Sequence, residues 1–195
     1  MKSNVNFSKF YKSMNVKEKK YAIVFDMNGV LFSKSECIND NFEAKPVLTG
    51  SRTSKIIYLN ASLQILSLFF ESHSFYKIAW TTMMRKNCEC IFDQLKNDFN
   101  CSFDKLYSQE DCKEGIMTGN IKTKFCIKDL RVPAENFALE IENCLLIDDS
   151  RGKNVEGQNF YHFGKGKNAM IEVLKYIDKF IECEDENCLV KKFRD

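Results

Sequence analysis

Tyr21-Ala-Ile-Val-Phe25 is a continuous apolar, β-rich run that stops abruptly at Asp26-Met-Asn-Gly-Val-Leu31. A half-buried strand alternates apolar and polar residues. A run without alternation fits a strand covered on both faces, as in a parallel sheet. The pattern recurs along the chain. Tyr76–Trp80 reads as a second short strand and Phe103–Leu106 as a third. Cys144–Ile147 is a fourth, again apolar and ending in Asp148-Asp149, and Asn159–Phe163 a fifth. Helical spacing fills the intervals. Asn60 is expected to cap a helix over Ala61–Phe70, with Leu63, Leu66, Phe69 and Phe70 on its inner face. Arg85–Phe99 carries Ile91, Phe92, Leu95 and Phe99 on one stripe. Asn168 opens a long amphipathic helix with Met170, Ile171, Val173, Leu174, Ile177 and Ile181 facing inward. Ser33–Ser54 is polar and broken, and reads as loop or small hairpin. Strands alternating with helices predict an α/β fold of three layers, α/β/α, around a central, mostly parallel sheet.

The bulk properties agree with one soluble domain. At 195 residues, 44% apolar and 29% charged, the chain resembles an ordinary globular protein. A domain of this size buries roughly 70% of its unfolded surface and needs no metal or disulfide to stay folded. The net charge of +2 argues against a nucleic-acid binder on bulk electrostatics. Met1–Lys20 is the exception. Lys2, Lys9, Lys12, Lys17, Lys19 and Lys20 face Glu18 alone, so this tail carries more than the whole net charge. It is either a basic arm for an acidic partner, nucleic acid included, or a solvated leader with no partner. It lacks the apolar core of a secretory signal, and no stretch approaches the ~18 apolar residues of a membrane span. The nine cysteines are scattered without paired CxxC spacing, and His73 and His162 lie far from any cysteine pair, so a zinc site is not expected. Reduced thiols in a cytoplasmic or nuclear compartment are the simplest account, with Cys144 and others serving as small hydrophobes.

Ligands of parallel α/β sheets bind outside the carboxyl ends of the strands. Three apolar runs end there in polar groups: Asp26, Thr81, and Asp148 with Asp149. A carboxylate at the end of a buried strand can serve as nucleophile, metal ligand, or both. Clustered carboxylates repel one another, and a divalent cation relieves the conflict. Hard oxygen ligands suit Mg²⁺, which leaves a site fit for phosphate. Thr81 offers a hydroxyl and a backbone N–H, and Lys128 a compact positive charge for phosphoryl oxygens. Each also has a plainer reading, Thr81 as a strand-end cap and Lys128 as a solvated helix charge.

Four segments then occur in a telling order: Ile23-Val-Phe-Asp26-Met-Asn-Gly-Val-Leu31, Ile78-Ala-Trp-Thr81-Thr-Met83, Lys128-Asp-Leu130 and Leu145-Leu-Ile-Asp148-Asp-Ser150. Together they resemble the four motifs of the haloacid dehalogenase superfamily. Trp80-Thr81, Leu106-Tyr-Ser-Gln-Glu-Asp-Cys112 and Lys128-Asp-Leu130 are similar to the branch of phosphatases acting on the RNA polymerase II carboxy-terminal domain, the small or NLI-interacting-factor-like ones above all. The similarity runs from about Tyr21 to Phe180, and implies a phosphatase domain over 21–183 between tails 1–20 and 184–195. It implies that Asp26 is the nucleophile, forming an aspartyl-phosphate, and a Mg²⁺ ligand. The Asn28 carbonyl, Asp148 and Asp149 would complete the metal shell, with Asp149 touching the ion directly. Thr81, Thr82 and Lys128 would hold the phosphoryl group.

Two departures stand out. Active members usually carry Asp at the position of Asn28, as general acid and base. An amide exchanges no proton near neutral pH, and the loss is worth about 10²–10⁴-fold. The chain is then a slow or differently assisted phosphatase, a pseudophosphatase that binds phosphorylated or acidic partners, or a form in which Asn28 was introduced to trap a complex. The second departure is Tyr58-Leu59-Asn60, where the branch commonly has Arg-Pro. Site access follows from lengths. The gaps Leu31–Thr81 and Thr81–Lys128 hold a small flap and single helices but no large cap domain. An uncapped site suits a macromolecule, so a phosphoprotein or phosphopeptide bearing phosphoserine or phosphothreonine is the implied substrate. Lys34, Lys45 and Arg52 of the flap either help hold it or have no role. A small-molecule or nucleic-acid-end phosphatase is the weaker alternative, and no membrane partner is expected.

Overall fold

The strand ending in Asp26 is buried along its whole length, and the rest of the domain is arranged around it. A computed structural model describes residues 18–34, 42–47, 55–117, 123–166 and 168–182. In chain order the strands are β1 (Ala22–Asp26), β2 (Phe32–Ser33), β3 (Phe42–Val47), β4 (Lys55–Asn60), β5 (Tyr76–Trp80), β6 (Lys105–Tyr107), β7 (Lys113–Met117), β8 (Thr123–Ile127), β9 (Cys144–Asp148) and β10 (Phe160–His162). The helices are α1 (Leu63–Ser72), α2 (Arg85–Phe99), α3 (Arg131–Phe137) and α4 (Ala169–Glu182).

Five strands form one parallel sheet in the order β10-β9-β1-β5-β6. Residues of β1 alternate between two cores. Ile23 and Phe25 join a cluster with Leu63, Leu66 and Phe70 of α1, Ile91 and Leu95 of α2, and Val173 and Ile177 of α4. Ala22 and Val24 join Trp80, Leu130, Ala134 and Leu146 on the other side, where α3 lies. Strand β9 splits the same way, Leu145 and Ile147 to the first cluster and Cys144 and Leu146 to the second. The unbroken apolar runs therefore have the cause expected of them: both faces are covered. From β1 the chain moves outward to β5 and β6, then returns to β9 and β10 on the other side. The direction of winding reverses between β1 and β9, and Asp26 and Asp148 end those two strands.

Several local expectations need correction. The first helix begins at Leu63, with Ser62 at its N-cap making no side-chain bond. Asn60 instead ends β4. Its amide donates to the Val30 carbonyl at 2.9 Å and its Oδ1 accepts from the Ser62 N–H at 2.9 Å, which spends the side chain on the β1–β2 turn. In α4, Ile171 is exposed and Phe180 takes a place in the core, because the inward stripe runs through Met170, Val173, Leu174, Ile177 and Phe180. Strand β6 sits at Lys105–Tyr107, two residues beyond the expected start. Of the stretch read as loop or small hairpin, β3 pairs antiparallel in a unit β2-β4-β3, whose third strand β4 lies beyond it, and the β7–β8 pair just before Lys128 was not expected. The expected flap falls partly on β3, and Arg52 lies outside the described residues, as do residues 1–17 and 183–195. Lys19, assigned to the tail, is docked by an ion pair to Asp104 at 2.7 Å and lies over the Tyr76 ring. No described helix is long and apolar enough to cross a membrane.

Candidate active site

The turn after β1 is shaped by a glycine. Leu31 and Phe32 N–H groups both donate to the Met27 carbonyl at 2.9 Å, and Gly29 holds φ at +98°. Positive φ is open to glycine at little steric cost. Here space also forbids a side chain, since a Cβ on Gly29 would lie 2.2 Å from Asp149 Oδ2. The Asp149 carboxylate is thus packed against the Asn28-Gly29 turn. Asn28 itself is half-buried, and its side-chain Oδ1 is buried with no hydrogen-bond partner among the described residues.

Asp26 and Asp148 are almost wholly buried, 1% and 0% exposed. Lys128, also 0% exposed, stands between them: its Nζ is 2.6 Å from Asp26 Oδ1 and 2.7 Å from Asp148 Oδ2. It follows strand β8 directly, so it is a buried cation at the sheet end rather than a solvated helix charge. A second ammonium joins it. Lys153 Nζ lies 2.6 Å from Asp26 Oδ2, 3.1 Å from Asp148 Oδ1 and 3.5 Å from Asp149 Oδ1. Burial works against the charge on Lys153, but attraction to Asp26 and Asp148 and hydrogen bonds to both outweigh it, so its pKa is held above the ordinary lysine value.

Lys153 escaped the sequence reading. The signal available was a basic residue four positions after Asp149, on the 3₁₀ turn Arg151–Lys153 that brings it back over the strand ends. Gln158 was missed too. It is 4% exposed, accepts the Leu130 N–H at 2.9 Å and donates to the Lys128 carbonyl at 2.9 Å. Asp129, 1% exposed, takes ion pairs from Lys113 and Arg131 and anchors the next turn of the same loop.

Thr81 is buried one residue beyond β5, which pairs Trp80 with Asp26. Its hydroxyl oxygen accepts the Met83 N–H at 3.2 Å, the strand-end role left open for it, and Thr82 follows half-buried on the same loop. That loop is braced by the Ser108–Asp111 segment. Gln109 N–H donates to the Met83 carbonyl at 2.8 Å, and the Glu110 carboxylate accepts from the Arg85 N–H at the start of α2. Met84 cannot cap that helix, so Glu110 satisfies the orphan donor from outside. Cys144, Cys101 and Cys88 lie buried in the two cores, as small hydrophobes do.

The structure therefore gathers Asp26, Lys128, Asp148 and Asp149 into one cluster. Oxygens of Asp26, Asp148 and Asp149 all lie within 4.8 Å of one another. Three hard carboxylate oxygens at that spacing fit Mg²⁺.

The four segments that resemble the motifs of the haloacid dehalogenase class end or directly follow β1, β5, β8 and β9, in that order. Within that class the chain belongs to the NLI interacting factor-like phosphatase family, whose model matches residues 21–187. Among solved structures it is similar to fission yeast RNA polymerase II CTD phosphatase Fcp1 bound to beryllium fluoride, at 14% identity and a TM-score of 0.44, over 90% of this chain and 54% of that one. A structure described as Fcp1, an essential RNA polymerase II CTD phosphatase, is similar at 13% identity and a TM-score of 0.43, over 89% of this chain and 56% of that one. The chain spans little more than half the length of either. No curated protein matches it significantly.

Proposed function

We propose that residues 21–183 form a Mg²⁺-dependent phosphatase domain that transfers phosphate from phosphoserine or phosphothreonine in protein to Asp26, then to water. The observation that carries this reading is the Lys128 ammonium held between Asp26 and Asp148 at 2.6 and 2.7 Å. A buried cation touching the nucleophile is placed to offset charge gathering on the phosphoryl oxygens, and it needs no reorganisation to do so. Asp26 attacks phosphorus and the bond to the seryl or threonyl oxygen breaks. Thr81 accepts a hydrogen bond from Met83, which leaves its own hydroxyl proton to give to a phosphoryl oxygen. Asp26, Asp148, Asp149 and the Asn28 carbonyl would hold the ion, which supplies Lewis-acid stabilisation when bound. Asn28 cannot protonate the leaving oxygen, so water does, and turnover is slow. Membership of a phosphatase family and the short antiparallel inserts, β2-β4-β3 and β7–β8, support an open site for a cytoplasmic or nuclear phosphoprotein.

The test is hydrolysis of an aryl phosphate and of phosphopeptides by wild type beside Asn28→Asp, with and without Mg²⁺. We expect weak metal-dependent turnover in wild type, a gain of about 10²–10⁴-fold in Asn28→Asp, and none in Asp26→Ala. No turnover by Asn28→Asp on any substrate sinks the reading. The amide at position 28 favours one other, a pseudophosphatase that binds phosphorylated or acidic segments without chemistry. Single-turnover detection of phosphate on Asp26 separates the two.

A further inference from the structure

Lys153 touches the same three carboxylates, Asp26, Asp148 and Asp149, that make up the candidate metal cluster. Lys128 cannot be grouped with it. Lys128 bridges only Asp26 and Asp148, has no exposure, and its carbonyl is fixed by Gln158. Whereas Lys128 keeps none of its side chain exposed, Lys153 keeps 20%. Its backbone is nonetheless well placed: its carbonyl accepts the Lys128 N–H at 2.8 Å, and its own N–H donates to the Ser150 carbonyl at 3.2 Å. The turn is held while the side chain stays partly open to solvent.

We propose that Lys153 is a built-in cation that competes with the divalent ion for the Asp26–Asp148–Asp149 cluster, so that metal binds only as the Lys153 ammonium leaves. This rests on the reading of that cluster as the metal site. The three carboxylates of the cluster already face two ammonium groups, which offset two of their three negative charges. A divalent ion entering among the three oxygens meets Lys153 at 2.6 Å from one, 3.1 Å from another and 3.5 Å from the third. Two cations so close repel strongly, and the partly exposed one yields. Lys153 therefore sets the metal affinity of the site low and keeps the cluster folded when metal is scarce. Once displaced, its ammonium remains on a turn beside Lys128, free to meet a phosphoryl oxygen.

Mg²⁺ binding to the full chain, measured by calorimetry, tests the proposal. Lys153→Met keeps the aliphatic stem and removes the charge. We expect Mg²⁺ to bind the variant at least about tenfold more tightly than wild type. A residue with a merely structural role would weaken binding when lost. Equal or weaker binding in Lys153→Met overturns the competition and leaves the metal cluster standing, whereas no binding to either protein overturns both. Because the variant risks misfolding, wild type provides a second measurement. Acetylation of the Lys153 amine by an activated ester, followed by mass spectrometry, is expected to speed up as Mg²⁺ saturates the protein. Unchanged or slower labelling at saturation overturns the proposal.

Discussion

Lys128 and Lys153 are joined through their main chains: the N–H of Lys128 donates to the carbonyl of Lys153 at 2.8 Å. One residue follows strand β8 and the other ends the turn after β9, so a single backbone bond sets the spacing of two cations over one pair of aspartates. Gln158 reinforces the junction by bonding the backbone of Lys128 and Leu130 together with the Asn154 side chain. The site is in this sense a contact between two loops, and its charges depend on that contact.

Lys128→Met removes the shared partner of two buried carboxylates. Breaking a buried ion pair from one side costs about 3–5 kcal/mol, because the remaining charge stays desolvated. Lys153 still reaches both carboxylates, which puts the expected loss near the lower end, about 3 kcal/mol. Urea denaturation checks this through the midpoint, with the slope unchanged. An unaltered midpoint would show that Lys128 contributes nothing to holding the strand ends together.

Gly29→Ala and Gly157→Ala form a matched pair. Both glycines have positive φ, +98° and +85°, so both variants carry the strain of an L side chain there, about 1 kcal/mol. A Cβ added at Gly157 meets no described residue beyond its chain neighbours within 4 Å, whereas at Gly29 the new methyl meets the Asp149 carboxylate. Gly157→Ala is expected to lower stability with Mg²⁺ affinity unchanged. Gly29→Ala is expected to lower stability further and to weaken Mg²⁺ binding, since Asp149 must move away from Asp26. Calorimetric titration of the two variants side by side isolates the collision. Equal Mg²⁺ affinities would detach Asp149 from the metal cluster.

The layers of the fold were legible because β1 and β9 are apolar without alternation, and that property has one physical cause, burial on both faces. Asp26, Asp148 and Asp149 were legible because they end those runs. Lys128 was legible through its place in an ordered pattern and not through its surroundings, which suggested a solvated charge. Lys153 was hidden, since nothing in Arg151-Gly-Lys153 says that a 3₁₀ turn folds back over the sheet. Asn60 misled for a related reason. Its Oδ1 does accept a backbone N–H just ahead, from Ser62, but the helix begins only at Leu63, and its amide is held by the Val30 carbonyl, thirty residues away. The β7–β8 pair is not apolar enough to announce itself and is defined by the antiparallel pairing of its two strands. For Lys153 and Asn60, what stayed illegible is a partner distant in sequence.

The buried thiols give the protein an alkaline limit. Burial pushes Cys101 and Cys144 up to about 12, and burial first, with Glu89 and Glu110 adding to it against Arg85, pushes Cys88 up to about 11. An unfolded thiol ionises near 9, the ordinary value. Because the folded values are raised, the stability these thiols contribute is complete below pH 9 and is lost as pH rises from there toward 12. In that window the unfolded chain releases a proton that the folded chain keeps, so each thiol lowers stability by about 1.4 kcal/mol per pH unit. Tyr107, Tyr161 and Tyr176 are raised by burial as well and add to the decline. The thiol share is therefore read as a difference. Urea stability of wild type and of Cys144→Ala is measured at pH 8 and above pH 9, and the variant, although less stable at pH 8, is expected to lose stability less steeply with pH. Parallel pH profiles for the two proteins would mean that the Cys144 thiol ionises equally readily in the folded and unfolded chain.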